Sequence, residues 1–170
     1  MSTKAQMLLG DLHRKEHTMV SQLGQLAERH PGHQEVYHVA QDIARWSSQH
    51  LERLEAAAQE YGMDLNTEEG PDDGARLEDK RYLGGGSDAI PPAEGDQPLP
   101  EGLQLLEDLR AIYLHAADLS IDWELLGQEA QALKDAELLA LSAQCHPGTL
   151  RQMRWANAML KASAPQVMAS

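Results

Sequence analysis

Residues 62–100 divide this chain into two halves of different character. These 39 residues hold seven of the 13 glycines and five of the eight prolines, in runs such as Gly84-Gly85-Gly86 and Pro91-Pro92. Proline removes a backbone donor and glycine costs backbone entropy, so this density cannot sustain a helix interior. The segment reads as one long, largely irregular connection, with a short turn near residues 75–83 that docks through Leu77, Tyr82 and Leu83. The flanks have few breakers and are rich in Leu, Ala, Gln, Glu and Arg, all good helix formers. No alternating apolar pattern calls for a strand.

Apolar spacing of three and four residues predicts four helices, at about 3–28, 32–61, 101–133 and 136–162. The first stripe is Leu9, Leu12, then the acid Glu16, then Met19, Leu23 and Leu26. The second runs Val36, Val39 or Ala40, Ile43, Trp46 or Ser47, His50, Leu54 and Ala57, with Gly62 as its stop. The third runs from Leu105 through Leu109, Ile112, Ala116, Leu119, Trp123, Leu126 and Ala130 to Leu133. Asp135 is the expected N-cap of the fourth, which carries Leu138, Leu141, Cys145, Leu150, Met153, Trp155, Met159 and Leu160. Pro147 is expected to kink or break that helix, and Pro165 to follow its end. Short turns make each pair antiparallel, and a connection of 39 residues is long enough to return along the bundle.

Charge narrows the function classes. The chain carries 27 acidic and 14 basic residues, a net charge of −13. Counted along the sequence, residues 62–100 hold −7 of this and the remaining 131 residues only −6. The acidity argues against a nucleic-acid binder, which needs a basic footprint. No apolar run approaches the roughly 20 residues of a membrane span, and the N-terminus lacks a signal-type apolar stretch. A single cysteine, Cys145, cannot form an internal disulfide and suits a reducing, cytoplasmic location.

Two antiparallel helix pairs joined by one long crossover, together with the C-terminal text DAELLALSAQCH and LRQMRWANAMLKASAPQ, resemble the ferritin-like four-helix-bundle superfamily, in a bacterial branch. The resemblance implies an all-α bundle and directs attention to a di-metal site. Such sites take a Glu from each of two helices and a Glu-x-x-His pair from each of the other two, a donor set suited to iron or manganese. Here Glu16, flanked by His13 and His17, matches one single Glu. The pairs are degenerate, however. His50 is preceded at −3 by Ser47, and His146 by Ala143. Asp122 on the third helix, with Asp118 and His115 nearby, is the remaining acid candidate. The true Glu-x-x-His, Glu35 to His38, lies near a bundle end.

With ferritin-like connectivity, His13, Glu16, His50, Asp122 and His146 fall within about two helical turns of one height. These five are the candidate metal residues. A haemerythrin-like pattern fits less well, since its His-x-x-x-Glu pair is matched only by His38 and Asp42, and His13-x-x-x-His17 has no acid at that spacing. His30 and His33 flank the first turn and are expected in solvent. Cys145 and His146 are sequence neighbours whose side chains diverge by about 100° on a helix, so they form no nucleophile–base pair.

The expected function is a non-enzymatic binding or stress-related structural role. One alternative is an iron or manganese oxidase or storage protein with a His-rich core site. Another is an interaction module using the acidic crossover. The apolar residues Leu106, Tyr113, Leu114 and Leu139, which widen the stripes, mark a face for a homodimer.

Overall fold

The computed structural model describes residues 2–66 and 98–169. Four helices make up the bundle: α1 (Thr3–Arg29), α2 (Gln34–Glu60), α3 (Glu101–Leu133) and α4 (Ala136–Met168). The expected turn at residues 75–83 lies outside the described residues.

Local chemistry sets the helix ends. Ser2 caps α1, its side chain accepting from the Ala5 N–H. Gly62 follows α2 with φ of 73°, the left-handed conformation that glycine adopts without a Cβ penalty. Asp135 caps α4 by accepting from the N–H groups of Glu137 and Leu138, and also receives the Tyr61 hydroxyl at 2.7 Å. Between α3 and α4 the chain turns through Lys134, at φ 57° and ψ 35°. A side chain is disfavoured in that conformation. Lys134→Gly is therefore expected to stabilise the protein by about 0.5–1 kcal/mol, read as a higher midpoint in urea.

α1 packs on α2 and α3, and α4 packs on the same two, so α1–α4 and α2–α3 are the diagonals. Cross-helix contacts set the directions. His13 and Glu16 of α1 meet Glu55 and His50 of α2, so these run antiparallel. Lys15 meets Asp122 and Arg29 meets Asp108, so α1 and α3 are antiparallel. Ser142 meets Trp123, and Gln152 meets Ser47, which orients α4 against both neighbours. α2 and α3 therefore point the same way, and the end of α2 lies at the opposite end of the bundle from the start of α3. This is the connectivity of bundles with one long crossover.

The core follows the expected stripes closely in α1 and α2. Leu9, Leu12, Glu16, Met19, Leu23 and Leu26 are buried, as are Val36, Ala40, Ile43, Ser47, His50 and Leu54. Two differences appear in the second half. Leu133, at the last position of α3, is exposed. Beyond Pro147, the buried positions of α4 are Gly148, Thr149, Gln152, Ala156 and Met159, while Leu150, Met153, Trp155 and Leu160 are only partly covered. Polar residues thus occupy part of the inward face there.

α4 runs unbroken through Pro147 and on through Pro165 to Met168, longer than expected. Pro147 sits on the exposed side of α4, where water can satisfy the carbonyl left without its usual N–H. Gly127 lies inside α3. A Cβ there would come within 3.0 Å of Ser142 Oγ, so its bare backbone lets α3 and α4 approach. Ser142 uses the approach to donate to the Trp123 carbonyl at 2.6 Å.

Of the proposed homodimer face, Leu114 and Leu139 are exposed, whereas Leu106 and Tyr113 are partly covered. Among the described residues, no helix is long and apolar enough to cross a membrane.

Candidate functional site

Glu16 occupies a core position of α1, where an apolar residue would be expected, and is completely buried. A carboxylate removed from water must be paired and hydrogen-bonded. Two other helices supply the partners. His50 Nδ1 on α2 lies 2.8 Å from Glu16 Oε1, and the Trp123 indole Nε1–H on α3 donates to the same oxygen at 3.1 Å. Indole can only donate, and an ionised carboxylate can only accept. We assign the proton between Glu16 and His50 to Nδ1 on this basis. The His50 and Trp123 rings meet edge to face, 5.8 Å between centroids.

α4 completes the centre through a gap rather than a group. A Cβ on Gly148 would stand 2.8 Å from His50 Nε2 and 3.0 Å from Cε1, so the imidazole edge rests where any side chain would clash. One turn along the core, Gln152 donates to the Ile43 carbonyl at 3.0 Å and to Ser47 Oγ at 2.9 Å. Glu16 Oε2, Thr149 Oγ1 and Gln152 Oε1 are buried without a protein partner.

The five residues singled out from the sequence separate into different environments. Glu16 and His50 are bonded to each other. His13 lies at the edge of the core, 6% exposed, with Nε2 3.0 Å from Glu55 Oε1. Asp122 pairs with Lys15 of α1 at 2.6 Å. Lys15 also reaches Asp118 at 2.7 Å, and its backbone carbonyl lies 2.7 Å from His115 Nε2. Desolvation pushes the Asp122 carboxyl above its usual range, with Asp118 and Asp11 adding to the rise against the pull of Lys15. Desolvation alone would lower Lys15, but its two carboxylate partners outweigh it and the ammonium is raised. These groups form a structural α1–α3 strap.

His146 is bonded to Ser120 Oγ at 2.8 Å across the α3–α4 seam. His30 is buried rather than solvated, 1% exposed, with Nε2 2.9 Å from Asp108 Oδ2. Burial pushes the Cys145 thiol up to about 11, which keeps it protonated and poorly nucleophilic at neutral pH.

Sequence reasoning missed Glu55. It faces His13 from α2, and His17 follows His13 by one turn on α1, their rings 4.7 Å apart and edge to face. The usable signal was the His13-x-x-x-His17 spacing, which puts both imidazoles on one helix face. The acid that joins them comes from the antiparallel neighbour, at a separation set by the bundle register. Trp123 was legible as a core residue but not as a hydrogen-bond donor to Glu16.

No protein-family model, curated protein or solved structure matches this chain.

Proposed function

We propose that this protein is a non-enzymatic binding or structural bundle of ferritin-like type, in which hydrogen bonds between side chains hold the place of a di-metal centre. The observation that carries this reading is the state of Glu16. It is the one buried acid among the described residues, and its Oε1 is already engaged by His50 and Trp123. A di-iron or di-manganese centre draws several carboxylates to one point in the core. Here the other buried polar side chains around it are His13, which turns to Glu55 at the core edge, and Ser47, Ser142, Thr149 and Gln152, which are neutral and weak ligands for those ions. Asp122 is drawn to Lys15 instead. The residues present therefore do not fit the di-metal group, which favours the non-enzymatic reading over an oxidase or storage protein built on such a pair of ions.

The test is reconstitution of metal-free protein with Fe(II) and, separately, Mn(II). The expected result is no pair of ions bound per chain in a Glu16-dependent manner, and Fe(II) oxidation in air no faster than in buffer. Two ions per chain that disappear in Glu16→Gln, or oxidation accelerated by the wild-type chain alone, would overturn the proposal.

A further inference from the structure

Outside the core centre, one cluster has the composition and spacing of a metal site. His13 and His17 project from one face of α1, and Glu55 faces them from α2. A ligand atom from each of the three lies within 4.8 Å of the others. Around an ion with bonds of about 2.0–2.2 Å, adjacent ligand atoms stand roughly 3–3.5 Å apart. The His13–Glu55 separation of 3.0 Å already has that length. Closing the set requires a shift of roughly one to two ångströms, and His17, which makes it, is exposed.

The three side chains are graded in exposure. His13 is buried, the Glu55 side chain is 31% exposed and His17 is in solvent. The inner ligand is thus held by packing while the outer face admits an ion with its water. Two imidazoles and one carboxylate form a borderline donor set, which favours first-row divalent ions over calcium and magnesium, whose preferred ligands are oxygens. Three protein ligands leave at least one position for water, the arrangement of an open zinc site.

We infer that His13, His17 and Glu55 form a mononuclear site for a divalent transition ion of the zinc or cobalt class, bridging α1 and α2. The ion replaces the proton shared between His13 and Glu55 and ties the first helix pair together near the end of the bundle that carries the α1 N-terminus. The site shares no residue with the Glu16–His50–Trp123 centre, and the two readings stand or fall separately.

The test uses the full untagged chain, freed of metal, with calorimetric titration of Zn(II) and visible absorption of Co(II). The expected result is one ion per chain at micromolar affinity or better, with Co(II) bands of a nitrogen- and oxygen-ligated ion. His17→Ala changes an exposed position and Glu55→Gln a partly exposed one, and both should leave the helical circular dichroism intact. Each is expected to weaken Zn(II) at least tenfold, and zinc should raise the Tm of the wild-type chain more than that of either variant. No binding at micromolar zinc would overturn the inference. So would binding that persists unchanged in both variants, which would mean an adventitious ion only, held by other histidines.

Discussion

Glu16→Ala is expected to destabilise the bundle by about 3–5 kcal/mol, the scale of two orphaned buried donors together with a core cavity. The loss has two parts. The Nδ1–H of His50 and the Nε1–H of Trp123 are left in the core without their acceptor, and each orphaned donor costs about 1–3 kcal/mol. The truncated side chain also leaves a cavity between α1, α2 and α3. Glu16→Gln keeps an oxygen in the position of Oε1 and places its amide NH2 where Oε2 has no partner. Its cost should stay near 1–2 kcal/mol, since a neutral acceptor replaces a charged one. Urea unfolding of the three proteins at neutral pH measures the difference, with unchanged slopes showing that the native states remain comparable. Equal costs for Ala and Gln would mean that charge, and not the acceptor geometry, holds the centre.

Gly148→Ala gives the second large effect, about 1–3 kcal/mol of destabilisation from overpacking. An Ala Cβ meets His50 Nε2 at 2.8 Å. Moving the end of a side chain is ordinarily cheap, but this imidazole is fixed at its other nitrogen by Glu16. Relief of the clash therefore breaks the buried bond. The dependence is testable by a double-mutant cycle with His50→Ser. In that background the Gly148→Ala penalty should shrink by about 1 kcal/mol or more, the coupling typical of residues in contact. Gly24 supplies the contrast. A Cβ there meets nothing within 4 Å, so Gly24→Ala should stabilise α1 by about 0.5–1 kcal/mol through helix propensity.

The bundle was legible because helix stripes repeat locally. Leu9, Leu12, Met19, Leu23 and Leu26 announce their face by spacing alone, and the breaker-rich residues 62–100 announce the separation of the two pairs. Glu16 and His50 were legible for the same reason, as polar residues interrupting an apolar stripe. What spacing cannot supply is the partner across the bundle. Glu55, Asp108 and Lys15 take their roles from helices on which their neighbours in space are 42, 78 and 107 residues away. His30 looked like a turn residue because its carboxylate lies on α3. The inward face of α4 was misread where Thr149 and Gln152 replace apolar residues, since hydroxyl and amide groups are normally assigned outward. The prolines were given too much weight, because a helix fixed along its length by neighbours tolerates the loss of single hydrogen bonds that would end an isolated one.

The central claim is that side chains alone complete the core centre. Hydrogen exchange of the Trp123 indole N–H, followed by NMR on metal-free protein and assigned with Trp123→Phe, tests it most directly. If Glu16 holds that proton in a dry core, its signal should exchange slowly in the presence of EDTA, and the protection should vanish in Glu16→Ala while surviving in Glu16→Gln. Fast exchange in metal-free protein, slowed only when Fe(II) or Mn(II) is added, would show that an ion builds the centre and would contradict the account.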